Sequence, residues 1–195
     1  RTEGDTPALP SCATGRNLRA RVAPGRVRSD TPRHFVASQR DIIRQRLARE
    51  RGTLFREAPT GVALLYPSPY TVGMSSLGYQ VMYRCINGRP DTAAARAFLP
   101  DDVAEAKRVR EPLLTYETQR PVGDHPVVAT SVAYEGELGG LIESLALSGI
   151  PPLREARAGG RYPFVLAGGP LTFSNPVPLA PYVDAVVVGE AEEVI

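Results

Sequence analysis

GVALLYPSPYTVGMSSLGYQVMYRCING, residues 61–88, passes from an apolar run through a loop containing Pro and Gly into helical periodicity. A strand that feeds a helix N-terminus through such a loop is the building unit of open parallel α/β sheets. Its orphan N–H groups and helix dipole face the crevice where such sheets bind ligands. The helical pattern covers Met74–Asn87, with Met74, Leu77, Val81 and Cys85 recurring at 3.6-residue spacing and Gly88 as the stop. On that spacing Cys85 is expected in the core as a small hydrophobe, not as a reactive thiol.

Outward from this unit the alternation continues. Further strands are expected at Ala94–Leu99, Val127–Ser131, Phe164–Ala167 and Ala185–Val188, after a first at Val62–Tyr66, and Leu113–Tyr116 reads as a short extra one. Helical patterns lie between them at Asp101–Arg110 and Glu135–Ser148, and a Pro-rich connection at Pro176–Tyr182. Near-continuous apolar strands joined by helices require a mostly parallel sheet covered on both faces. The fold class is therefore α/β: a doubly wound parallel sheet of about five strands, order 2-1-3-4-5, spanning residues 58–195.

The 195 residues hold one such domain plus an extension. Residues 1–33 carry Pro7, Pro10, Pro24, Pro32 and scattered Arg with little periodicity, which predicts a flexible basic arm. Residues 34–57 read as an amphipathic helix, with Ile42, Ile43 and Leu47 on one face and Arg40, Arg44, Arg46 and Arg49 elsewhere. Such a helix could meet nucleic acid or an anionic membrane. A helix docked on its own domain with the Arg residues in water is favoured, because no aromatic residues interleave with the charges.

Hydrophobic content of 43%, charged content of 23% and a net charge of +2 are those of an ordinary soluble domain, and no apolar run approaches a membrane span. Cys12 and Cys85 form neither a disulfide framework nor a zinc pattern, and no apolar leader follows the N-terminal charges, so a reducing cytoplasm is expected.

The residues that stand out chemically all sit where strands end: the 66–76 loop, Ser131 with Tyr134 and Glu135, Gly168-Gly169-Pro170, and Gly189-Glu190. In a doubly wound sheet these loops share one edge and converge on one crevice. Each glycine alone has the simpler reading of a turn. Gly139 and Gly140 ask for more, since each Gly inside a helix costs roughly 1 kcal/mol against Ala. Either something presses on that turn or the helix starts late.

Catalytic constellations are missing: no Gly-x-Ser-x-Gly elbow, no Walker loop, no Gly-x-Gly-x-x-Gly. His34 lies in the arm and His125 at the sheet edge opposite the crevice. Crevice carboxylates are Glu135, Glu190 and Glu137, suited to hydrogen bonding more than to acid/base work. On its own the chain does not read as a complete enzyme.

Together, YPSPYTVGMSSLGYQVMYRCIN (66–87), VVATSVAYEGELGGLIESLALSG (127–149), FVLAGGP (164–170) and AVVVGEAEEVI (185–195) resemble the N-terminal cobalamin-binding-type domain of radical SAM proteins. That resemblance implies a flavodoxin-like sheet whose crevice takes the corrinoid's nucleotide tail past a Ser-x-Leu motif and a Gly-Gly turn. Carried over, these become Ser131, followed here by Val132 and Ala133, and Gly168-Gly169.

The family's cobalamin loop, Asp-x-His-x-x-Gly, maps onto Ser68, Tyr70 and Gly73, with Met74, Ser75, Ser76, Tyr134, Glu135, Pro170, Gly189 and Glu190 lining the same site. The family's His is the lower cobalt ligand and its Asp orients that His; both are replaced here. A phenol with a pKa near 10 is a poor substitute, so the expectation is cobalamin bound with neither its own base nor a protein His on cobalt.

The resemblance also implies a following radical SAM domain as partner, holding a 4Fe–4S cluster and S-adenosylmethionine. Two separated cysteines cannot ligate such a cluster, and the sequence reads as breaking off before that domain. Two other readings stay open. One is a degenerate domain of the same fold serving protein or RNA interaction through its Arg-rich arm. The other is a small nucleotide- or flavin-binding enzyme using the helix start at Gly73–Ser76.

Overall fold

Five apolar runs become five strands, and their hydrogen bonding is parallel throughout. The computed structural model describes residues 38–189, which lie within one unit of the chain, Val36–Ile195. The expected basic arm, Cys12, His34 and Glu190 fall outside the described residues. The elements are α1 (Gln39–Leu47), β1 (Thr60–Pro69), α2 (Tyr70–Ser75), α3 (Leu77–Gly88), β2 (Thr92–Leu99), α4 (Val103–Val109), β3 (Val127–Ser131), α5 (Leu138–Leu147), β4 (Phe164–Gly168), α6 (Leu171–Ser174) and β5 (Ala185–Val186). The sheet order is β2-β1-β3-β4-β5, the flavodoxin-like arrangement.

Side chains alternate across a strand, so β1 feeds two cores. Ala63 and Leu65 join Val128, Val165 and Ala167 under Leu141 and Leu145 of α5 on one face. Val62, Leu64 and Tyr66 join Ala94 and Phe98 under Tyr79, Tyr83 and Ile86 of α3 and Ile43 of α1 on the other. Burial on both faces is the reason these strands read as unbroken apolar runs.

Several expected boundaries move, each for a local reason. The helix expected over 34–57 is, within the described residues, only Gln39–Leu47: Ser38 caps it by accepting from the Asp41 N–H at 3.3 Å, and Gly52, at φ +83°, turns the chain away soon after it ends. It is docked, with Ile43 buried and Arg40, Arg44 and Arg49 exposed. The single helix expected over Met74–Asn87 is two, because Ser76 is extended and its Oγ caps α3.

The buried face of α3 also differs. Leu77 is exposed and Cys85 only half-buried, whereas Tyr79, Tyr83, Ile86 and Asn87 point inward. Their polar ends are satisfied there: the Tyr79 hydroxyl donates to the Leu64 carbonyl at 2.7 Å, and Asn87 accepts from the Ala94 N–H at 3.1 Å. A periodicity count that gives Leu and Cys precedence over Tyr and Asn picks the wrong stripe. The expected strand at Leu113–Tyr116 reduces to one antiparallel bridge, Leu114 to Pro121.

Candidate functional site

The C-terminal ends of β1, β3, β4 and β5 lie along one edge of the parallel sheet, the edge at which the crevice is expected. β3 and β4 are in register to their last residues, Ser131 against Gly168, and the Val132 N–H extends the ladder to the Gly168 carbonyl at 2.9 Å. Gly169 follows at φ +101°; a Cβ there would stand 2.8 Å from the Val132 carbonyl oxygen and 3.0 Å from Ser131 Oγ. Only glycine meets both demands. Around a Cβ on Gly168 or Gly189 there is open space.

Between β1 and β3, where the connections switch from one face of the sheet to the other, the loops are tied together by Glu137. One carboxylate oxygen accepts from Ser68 Oγ at 3.0 Å and the other from the Ala133 N–H at 2.7 Å, and the residue is 3% exposed. The sequence pattern marks Glu137 only as a possible crevice carboxylate; its role as a bridge emerges from the short helical turn at Glu135–Glu137 that delays the start of α5. Once α5 begins, Gly140 runs against β1, and a Cβ on it would collide with the Pro67 carbonyl oxygen. Gly139 faces open space.

The 66–76 loop turns most of its candidate residues inward. Gly73 is buried, and a Cβ there would lie 2.5 Å from the Phe98 ring. Met74 Sδ accepts from Arg96 Nη1 at 3.2 Å. Ser75 donates to the Val72 carbonyl at 2.6 Å and Ser76 is the α3 cap.

Tyr70 is held most firmly of all. Its ring stacks on Tyr116 at 5.3 Å and 1°, meets the Phe98 ring edge-on, lies 4.7 Å under the Arg46 guanidinium, and its hydroxyl donates to Glu50 Oε1 at 2.8 Å. Burial, then the hydrogen bond and charge of Glu50, push its phenol up to about 12. The hydroxyl is thus turned to Glu50 and held in its protonated form.

Behind Tyr70 lies a buried ion cluster. Arg96 of β2 donates through Nε to Glu117 at 2.6 Å and through Nη2 to Glu50 at 2.6 Å, with its guanidinium 4.8 Å from the Tyr83 ring. Burial pushes the Glu50 carboxyl up, but hydrogen bonds from Arg96 and Thr53, the Arg96 charge and the Tyr70 hydroxyl outweigh it, and the net shift is downward. The sequence reading singles out none of Glu50, Arg96, Tyr116 and Glu117. A usable signal did exist: Arg96 is the one charge in TAAARAFL, a strand otherwise apolar enough to be buried, and a buried Arg demands carboxylate partners.

The remaining candidates lie at or after the C-terminal ends of β3, β4 and β5: Ser131 half-buried, Tyr134, Glu135 and Pro170 exposed, Gly189 half-buried. Exposed apolar side chains in the segments that follow the strands are Val72 after β1, Tyr134 after β3, Phe173 after β4 and Val188 after β5. His125 is buried at the opposite edge, where a Cβ on Gly61 would stand 3.3 Å from its Nδ1; burial first, then the charge of Arg120, lowers its pKa. Among the described residues no group of three or more His, Cys, Asp or Glu is placed to hold a metal ion, and no helix is long and apolar enough to cross a membrane.

Residues 78–195, more than half of the chain, match the family model described as radical SAM proteins, N-terminal. The match takes in α3 and everything after it, including the β3 and β4 ends, and leaves the 66–76 loop outside. No curated protein and no solved structure matches the chain.

Proposed function

The chain belongs to the family of N-terminal domains of radical SAM proteins, and on that footing we propose that it is a cobalamin-binding-type accessory domain whose crevice holds a corrinoid without a protein ligand on cobalt. The observation that carries this reading is the open space at Gly168 and Gly189, at and beyond the C-terminal ends of β4 and β5.

The fit of a corrinoid rests on that edge. Gly168 and Gly189 leave room for close approach, and Tyr134, Phe173 and Val188 offer apolar surface to a broad macrocycle. When bound, a corrinoid supplies a redox-active cobalt centre. Gly168, Gly189 and the residues beside them would cradle its edge, with the Tyr70 hydroxyl kept by Glu50. Family membership implies that a catalytic domain, carrying an iron–sulfur cluster and S-adenosylmethionine, performs the radical chemistry, and the exposed apolar rim is suited to face it.

The competing reading is a degenerate domain of the same fold that packs against its neighbour and binds no corrinoid. The clamped Tyr70 favours it. The two separate when the chain is mixed with hydroxocobalamin and, in parallel, with cobinamide, then desalted and its visible spectrum recorded. Retained corrinoid absorbance in either mixture is expected, unchanged in Tyr70→Phe; absence from both overturns the corrinoid reading.

A further inference from the structure

In doubly wound sheets a ligand's phosphate seats where the connections change faces, against the N–H groups between a strand end and the following helix. In this chain that seat holds a side chain. The Ala133 N–H, the second after β3, donates to Glu137 at 2.7 Å, and the Ser68 hydroxyl reaches the same carboxylate from the β1 side at 3.0 Å. Both oxygens accept, and both donors are neutral. No Arg or Lys among the described residues pairs with Glu137, although it is 3% exposed.

A buried carboxylate with no Arg or Lys partner among the described residues thus sits at the β1/β3 junction. A phosphate arriving at Ala133 would have to displace it or stand beside it, and like charges at such distances repel strongly away from bulk water. A ligand that offers N–H or O–H groups meets the reverse situation, because it can take over the Ala133 or Ser68 donor's place on the carboxylate. We propose that Glu137 is a specificity residue that bars phosphate-bearing ligands from the crevice and favours uncharged ones presenting amide or hydroxyl donors. This inference rests on the crevice being a cofactor site. Within the corrinoid class it selects forms lacking the nucleotide tail, because the corrin periphery carries amides while the tail carries the phosphodiester.

The test has two independent arms. In the first, the wild-type chain is titrated with cobinamide and with cobalamin; tighter retention of cobinamide, by roughly tenfold or more, is expected, and Glu137→Gln should narrow that gap. Equal affinities in the wild type overturn the proposal while leaving the corrinoid reading intact.

In the second arm, inorganic phosphate and FMN are titrated into wild type and Glu137→Gln, and the Ala133 amide is followed by ¹H–¹⁵N NMR. Saturable perturbation only in Glu137→Gln is expected. The same perturbation in wild type, or none in a folded Glu137→Gln, overturns the charge gate. If the second arm succeeds and neither corrinoid is retained, the gate stands and the corrinoid reading falls.

Discussion

Arg96→Met is the substitution that most directly probes how the crevice loop is held. Met keeps much of the length of the Arg stem in β2 and removes the guanidinium, so the packing change is small and the electrostatic change large. What remains is Glu50, with an 8% exposed side chain, and Glu117, with a 2% exposed one, both deprived of their 2.6 Å partner. Glu50 keeps the hydroxyls of Tyr70 and Thr53, and Glu117 keeps the Arg96 backbone N–H. Removing one member of a buried ion cluster typically costs about 3–5 kcal/mol, a large part of a total stability of roughly 5–15 kcal/mol.

In urea denaturation followed by far-UV circular dichroism, that loss appears as a midpoint lowered by about 2 M for an m-value near 2 kcal/mol/M. The pH dependence adds a sign. The Glu50 carboxyl lies below its ordinary range in the folded chain. Its pairing therefore stabilises the wild type above the unfolded-state value and is lost as pH falls through the folded one. In Arg96→Met the buried Glu50 titrates upward instead, and its penalty is relieved as pH falls. The stability difference between the two proteins should then shrink between pH 7 and about pH 4.5. A difference under about 1 kcal/mol at neutral pH, or one that persists unchanged at the lower pH, refutes the cluster as the anchor.

Two further predictions concern particular residues. Gly140→Ala should lower the thermal midpoint, at a cost of about 1–3 kcal/mol, because the new methyl meets the Pro67 carbonyl oxygen. Gly139→Ala, one residue earlier with open space around the methyl, should raise it by about 0.5–1 kcal/mol of helix propensity; equal effects at both sites would contradict the close approach of α5 to β1. Tyr70→Phe should keep the ring stack, lose about 1 kcal/mol with the Glu50 hydrogen bond, and leave the ultraviolet titration of the folded chain unchanged below about pH 11, since the Tyr70 phenol is pushed up to about 12.

The strands were legible because their chemistry is one-dimensional: GVALL, VVATS and FVLAG announce burial on both faces whatever their neighbours do. Helix detail was not, because it is decided by contacts between distant segments. The break falls at Ser76, which is extended and caps α3, three residues after Gly73, where a Cβ would meet Phe98 of another strand. The inward turn of Tyr79 and Asn87 depends on a carbonyl of β1 and on the backbone of β2. Tyr70 is the sharpest case. Its spacing to Gly73 is visible in the sequence, but its orientation is set by Glu50 and Tyr116, 20 and 46 positions away, and no local pattern encodes that pairing.

These two halves of the crevice therefore differ in kind. On the β1 side the chain consumes its own polar groups: the hydroxyls of Tyr70 and Ser68 donate to Glu50 and Glu137, and Ser75 and Ser76 serve the α2–α3 junction. On the β3–β5 side Gly168 and Gly189 are open and Tyr134, Phe173 and Val188 exposed. A ligand held by this edge must draw its affinity from the second half, through backbone and shape, while the Glu137 carboxylate at the junction decides which ligands are refused. Substitutions that add bulk at Gly168 should then weaken retention, whereas removal of the Tyr70 hydroxyl should not. A domain that binds through its β1 loop would show the reverse order. The rank of these two effects in one retention assay distinguishes a crevice that works with its loop closed from one that has to open it.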